Sequence, residues 1–293
     1  MTDAEKRLPW ILAAVDDSTE ARAAAIAAIR IARNQNLAIQ GLYVADESLA
    51  LDTYAFYRAE LPLQPKGSDG NRREPTSRAE LMSWLKAQGE TALNWLETEC
   101  AEAGVPVTIQ MLAGGVPEML VREASRARML AIGRRGHGHK NALKSLGHNF
   151  RKIAHQVHRP ILVGGLKTSS LRRLLLAYHG QGHADAALDW TLQLQRDLAA
   201  EVIVLCVGEN NQSGSSGMSL EAIRDRLAQS DLNAYRLLTS RGKPSSEIAA
   251  IASANDVDLI ILGSYRHAAL VEWLVGSTVD RLLQATSLPM LIA

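Results

Sequence analysis

The chain is written twice, and few features constrain a fold more than an internal repeat. Ile11–Arg33, ILAAVDDSTEARAAAIAAIRIAR, and Leu174–Arg196, LLLAYHGQGHADAALDWTLQLQR, each read as an apolar strand, a polar turn and an amphipathic helix. Val15 stands opposite Tyr178, an offset of 163 residues. Further on, MLAIGRRG at Met129–Gly136 matches LIILGSYR at Leu259–Arg266, with Gly133 opposite Gly263, an offset of 130. HRPILV at His158–Val163 then matches SLPMLI at Ser287–Ile292, an offset of 129. The drop from 163 to 130 means that the first copy carries 33 additional residues between its first strand and its glycine turn. They are visible as Asp46–Arg78, rich in Pro, Gly and charge near its end, and read as a loop or lid. Gly208–Ser219, GENNQSGSSGMS, is the shorter linker at that place in the second copy.

Each copy alternates short β-rich runs with helical ones. In the first, strands are expected at Leu8–Val15, Leu37–Val44, Val105–Leu112, Met129–Ile132 and Ile161–Val163. Helices fall between them at Thr19–Arg33, Ala79–Ala103, Pro117–Arg126 and Asn149–Val157, with Gly104 and Pro106 stopping the second. The second copy predicts strands at Leu171–Tyr178, Val202–Val207, Ala234–Leu238, Leu259–Leu262 and Met290–Ile292. Apolar strands separated by helices imply a parallel sheet covered on both faces. The expected architecture is therefore α/β, two tandem five-stranded, doubly wound parallel-sheet domains over residues 1–166 and 171–293, with the insertion at about 46–78.

Composition excludes several classes. The net charge is +1, which gives no reason to expect nucleic acid or an anionic membrane as a partner. The start, MTDAEKRLPW, lacks the apolar core of a signal peptide, and Arg22 and Arg30 break the alanine-rich run far short of a membrane span. The two cysteines, Cys100 and Cys206, lie in different copies and read as reduced core thiols. A cytoplasmic protein is expected.

In an open α/β sheet the ligand crevice lies at the carboxyl ends of strands where the winding reverses. The end of the first strand, the glycine turn after the fourth, and the start of the last helix converge there. Glycines let backbone N–H groups approach a phosphate, and a helix N-terminus adds partial positive charge. Ser277 or Thr278 can cap the last helix or donate to an anion, and Asp280, three residues after Ser277, resembles a capping box. Such turns and caps are common in α/β proteins, so spacing alone does not specify phosphate.

The motifs VDDS (Val15–Ser18), GRRGHGH (Gly133–His139), HRPILV and GSYRH…GST resemble those of universal stress protein domains in tandem, over Leu8–Gly165 and Leu171–Ala293. The resemblance implies an adenine nucleotide α-hydrolase-like fold. It also implies an aspartate after strand one for adenine and, after strand four, Gly, two residues, Gly, nine residues, then Gly-Ser/Thr for phosphate. In the first copy Asp16, Gly133 and Gly136 match, but ten residues precede Gly147 and His148 stands where Ser or Thr is expected. In the second, Gly263, Gly276, Ser277 and Thr278 match at the right spacing. There Arg266 replaces the middle glycine and His179 the aspartate. One copy keeps the base end and the other the phosphate end, and Arg266 is read as a replacement phosphate ligand because its guanidinium fork suits phosphate oxygens.

What the resemblance implies is a stress-response regulatory protein binding ATP or another adenine nucleotide, with Mg²⁺ accompanying ATP, in an altered site. It also implies an internal pseudo-dimer in which the strands ending at Val163 and Ile292 meet and protect each other's edges. Association of two chains is compatible with this. The alternative is a nucleotide-free tandem scaffold acting on a protein partner through surfaces such as Asp46–Arg78. Slow ATP hydrolysis or autophosphorylation is a weaker alternative, since no general base stands out beyond the aspartates. Asp17, next to Asp16, reads as a solvated turn residue beside the N-cap Ser18 rather than a Mg²⁺ ligand. His137, His139, His155 and His158 lack the carboxylates or cysteines of a zinc site, and Trp84, Trp95, Trp190 and Trp273 read as packing.

Overall fold

The computed structural model describes residues 8–46, 77–134, 148–166, 170–179, 184–208, 220–232, 234–263 and 278–293. The first half contains β1 (Trp10–Ala14), α1 (Thr19–Gln35), β2 (Ala38–Asp46), α2 (Arg78–Ala103), β3 (Val107–Gly114), α3 (Val116–Ala124), β4 (Met129–Ile132), α4 (His148–Gln156) and β5 (Ile161–Val163). The second repeats the order: β6 (Arg173–Ala177), α5 (Ala184–Leu198), β7 (Glu201–Gly208), α6 (Leu220–Ala228), β8 (Tyr235–Arg241), α7 (Pro244–Ala254), β9 (Leu259–Leu262), α8 (Thr278–Ala285) and β10 (Met290–Ile292). The central strands fall where the apolar runs place them. Most of the 33 extra residues, and most of the second copy's linker, lie outside the described residues.

All ten strands form one sheet, in the order β3-β2-β1-β4-β5-β10-β9-β6-β7-β8. Pairing is parallel within each half. At the join β5 and β10 run antiparallel, with Leu162 opposite Leu291 and Val163 opposite Met290. The edge-to-edge meeting anticipated for the strands ending at Val163 and Ile292 is present, so neither strand offers an unpaired backbone. The outermost strands, β3 and β8, are half exposed and carry Thr108, Gln110, Arg236 and Arg241. Polar and charged side chains on such edges discourage pairing with another chain.

Burial follows the pleat. On β1, Ile11 and Ala13 join one apolar cluster while Leu12 and Ala14 join the other, because successive side chains leave a strand on opposite faces. One cluster packs the sheet under α1, α2, α5 and α6; the other packs it under α3, α4, α7 and α8. Both clusters draw residues from both halves, so the hydrophobic core does not stop at the join.

Helix α1 shows how this packing is achieved with few large side chains. Ser18 is its N-cap, its Oγ accepting from the Ala21 N–H at 3.2 Å, and Asn36 ends it in the left-handed region at φ 51°. Its inner face is alanine: Ala21, Ala24, Ala25 and Ala28 are buried. That allows very close approach to the sheet. A Cβ on Gly133 would sit 2.9 Å from the Ala21 nitrogen, and one on Gly164 would sit 1.8 Å from the Glu20 carbonyl oxygen. Both glycines are therefore required by packing on the first turn of α1, whatever else they do. Cys100 is buried and Cys206 half-buried, both free; burial pushes their thiols up to about 12 and about 11. Among the described residues no helix is long and apolar enough to cross a membrane.

Candidate functional site

The winding of the first half reverses between β1 and β4, which lie side by side, with β2 and β3 on one flank and β5 on the other. Asp16 follows β1 and Gly133 follows β4, so the sheet brings these two to one crevice at the strands' carboxyl ends. The second half repeats this with His179 after β6 and Gly263 after β9, β6 and β9 being paired. Thr278, half-buried, opens α8. Gly136, Gly147, Arg266, Gly276 and Ser277 lie outside the described residues.

Asp16 is held rigidly. Its Oδ1 accepts the Ser18 N–H at 2.9 Å and also the Ser18 hydroxyl, while that same hydroxyl oxygen caps α1. Its second oxygen, Oδ2, accepts no hydrogen bond among the described residues, and the side chain is partly exposed at the crevice. Tyr43 on β2 is buried close enough that burial, with the Asp16 and Asp46 carboxylates, pushes its hydroxyl far up, so it stays protonated. Asp17 is not the solvated turn residue expected. Its side chain is only 12% exposed and pairs with Arg22 at 2.5 Å, and Arg22 lies 4.8 Å over the Trp95 ring of α2. The correction has a plain cause: five residues on, the first turn of α1 returns an arginine to the preceding turn, and α2 supplies the ring that holds it.

The second half is built differently at this place. His179 is exposed. Tyr178, where the first half has Val15, is 2% exposed and donates from its hydroxyl to Asp185 Oδ1 at 3.1 Å. The other Asp185 oxygen pairs with Arg226 of α6 at 3.0 Å. Asp185 stands opposite Arg22 at the offset of 163, so the charge at this position is reversed between halves. The carboxyl end of β6 is thus braced by the protein's own Tyr–Asp–Arg chain.

Sequence reasoning passed over Arg134. The residue directly after Gly133 turns inward and is 4% exposed. Its Nε donates to the Gly164 carbonyl at 3.0 Å, Nη1 to the Leu283 and Thr286 carbonyls at 2.9 and 2.6 Å, and Nη2 to the Leu288 carbonyl at 2.8 Å. Three of these four acceptors belong to the second half. No local signal distinguishes it from Arg135; an arginine between glycines reads as solvated until its partners are known.

A second bridge between halves, Arg151 of α4 to Asp280 of α8 at 3.1 Å, occupies the carboxylate read from sequence as part of a capping box. Burial raises the Asp280 carboxyl above its ordinary 3.8, opposed by the Arg151 guanidinium and His155. The folded form therefore holds this proton more tightly than the unfolded chain. Stability from this group is complete below pH 3.8 and is lost as pH rises through the raised folded value. Thermal melts of wild type and Asp280→Asn across that interval should show the downward slope in the wild type and a shallower one in the variant. Parallel curves would refute the assignment.

No group of three or more His, Cys, Asp or Glu is placed to hold a metal ion among the described residues. A groove of about 650 Å³ lined by Asp189, Gln193, Arg196, Ala200 and Asp231 lies at the amino ends of β7 and β8, opposite the second half's own crevice.

Two domains of one kind, joined at β5 and β10 and each with its crevice at a switch point, match the universal stress protein family model over residues 10–164 and again over 170–293. The chain belongs to the universal stress protein family. Universal stress protein Slr1230 of Synechocystis sp. is 26% identical over 166 residues, which span 56% of this chain and 56% of that protein. YxiE of Bacillus subtilis, also a universal stress protein, is 25% identical over 144 residues, covering 41% of this chain and 97% of its own. In fold, the chain resembles a universal stress protein from Archaeoglobus fulgidus, with a TM-score of 0.71 at 15% identity over 98% of this chain and 96% of that one. A functionally unknown protein from Pseudomonas aeruginosa gives 0.65 at 16% identity, over 99% and 94%. The fold thus recurs over nearly the full length of the chain in a solved structure.

Proposed function

We propose that this universal stress protein is a stress-response regulator that takes an adenine nucleotide, ATP with Mg²⁺, in the crevice of its first half. The observation that carries the reading is the state of Asp16. One carboxylate oxygen is fixed by Ser18 and the other is left to accept an amino group such as that of adenine. Gly133 supplies the start of the turn that approaches the phosphates, with Gly136 and Gly147 beyond it. Gly263, Arg266, Gly276, Ser277 and Thr278 form the corresponding phosphate end of the second half, where Arg266 replaces a glycine. The protein acts by binding rather than by dedicated catalysis.

The Tyr178–Asp185–Arg226 chain favours a different reading for the second half: a crevice whose base end is served by internal contacts and which acts as scaffold.

Calorimetric titration of nucleotide-stripped protein with Mg-ATP separates these readings. One site per chain is expected, weakened by roughly 10- to 150-fold in Asp16→Ala, the loss of one hydrogen bond to a charged acceptor. Binding that survives Asp16→Ala and vanishes in Arg266→Ala would move the site to the second half. No heat and no thermal shift at millimolar ATP would leave the scaffold.

A further inference from the structure

The two halves could have shared nothing but a strand pair, each crevice belonging to its own domain. Arg134 adds a further tie between them. It stands immediately after Gly133, yet of the four carbonyls it donates to among the described residues three are those of Leu283, Thr286 and Leu288. Leu283 lies in the last turn of α8, and Thr286 and Leu288 follow it before β10. Carbonyls at a helix C-terminus lack intrahelical partners and carry partial negative charge. A guanidinium is suited to them because its donors are fixed in one plane and can serve several acceptors at once. The fourth acceptor, Gly164, ends β5, and its neighbours complete the seam. The Gly164 N–H donates to Ile132 at 2.9 Å, and the Leu166 N–H donates to Ser287 across the join at 2.9 Å. A Cβ on Gly165 would lie 2.5 Å from the Ser287 carbonyl oxygen, so the two backbones are in direct contact there.

We infer that Arg134 is a positioning residue that sets Gly133 and the end of β4 on the second half's C-terminal segment, so that the place of Gly133 in the first crevice is fixed by both halves. On this inference, which rests on the nucleotide reading for its ligand, the second half has a role in binding without holding a ligand itself. It supplies the carbonyl frame against which Gly133 and Arg134 are set. Asp16 is positioned by Ser18 within its own turn and does not depend on that frame. Base and phosphate recognition are therefore separable: losing the Arg134 contacts displaces Gly133 and leaves Asp16 in place.

The test compares Mg-ATP with adenosine, which has the base and no phosphate, on the full chain. Arg134→Lys keeps the charge but cannot span four carbonyls, and it is the variant expected to fold; Arg134→Ala is the stronger version. ATP affinity should fall roughly tenfold or more while adenosine affinity stays within about twofold, since small displacements of a positioned group are costly and the base contact is untouched. Arg128→Ala removes a different contact between halves, the hydrogen bond to Gln193 at 2.8 Å and the stacking over Trp190, and should change neither ligand. Equal loss of ATP and adenosine in Arg134→Lys, or no loss of either, overturns the inference.

If the wild type binds neither ligand, the nucleotide reading fails on its own, and hydrogen exchange decides the positioning role. The Gly164 and Leu166 amides should then exchange roughly tenfold faster or more in Arg134→Lys, with β1 and β2 unchanged. Unaltered exchange at those two amides overturns it.

Discussion

Gly164→Ala should be among the most damaging single-methyl additions to this protein, costing about 3 kcal/mol, the upper end for overpacking a close-packed interior. The added Cβ would meet the Glu20 carbonyl oxygen at 1.8 Å, its carbon at 2.8 Å and the Ala24 nitrogen at 2.9 Å. All three are backbone atoms of α1, so no side-chain rotation relieves the contact. Either α1 shifts off the sheet or β5 shifts away from α1. A shift of β5 also moves the Gly164 carbonyl that receives Arg134, and with it the seam to α8. Gly104→Ala is the instructive comparison. Nothing lies within 4 Å of a Cβ there, and the cost comes from its φ of +68° alone, about 1 kcal/mol. Chemical denaturation of the two variants should rank them in that order by a clear margin; equal losses would mean that α1 is free to retreat.

Leu291→Ala is expected to cost about 3 kcal/mol, the ordinary price of a large-to-small change at a site that cannot collapse. Leu291 and its cross-strand partner Leu162 are both 0% exposed at the middle of the β5–β10 pair. The prediction has a second part. Because both apolar clusters run through the join, the variant should still unfold in one transition at lower denaturant rather than in two. Separate transitions monitored by probes in each half would show that the halves are independent domains touching at an edge. A single shifted transition would show one cooperative body.

Several independent contacts tie the two halves at one seam. β5 and β10 close each other's edges, Arg151 meets Asp280 between α4 and α8, and Arg134 ties Gly133 and the end of β4 to the carbonyls at and after the end of α8. Duplication within one chain lets the two sides of such a seam diverge. The reversed charge at Arg22 and Asp185, and Val15 against Tyr178, are divergences between the two halves. A symmetric pair of identical chains would place the same side chain on both sides of the axis.

Much of the fold was legible in the residues because it depends on local order. The repeat offsets, the apolar runs and the helix stop at Gly104 place the strands and helices, and strands apolar throughout tell that both faces are covered. The N-cap at Ser18 was equally readable, whereas the hydrogen bonds that close Asp16 onto it are a finding of the structure. What only the tertiary structure decided are pairings between residues far apart in sequence. Arg134 finds three acceptors about 150 residues away, Asp280 meets Arg151 instead of serving only its own helix, and Arg22, lying over Trp95, leaves Asp17 paired rather than solvated. The glycines show the same division. Sequence assigns Gly133 to a phosphate turn, whereas the Ala21 backbone 2.9 Å from its absent Cβ shows that it would be required there for packing alone. A side chain's chemistry is written in the sequence, but which backbone it will be pressed against is settled only when distant segments share one core.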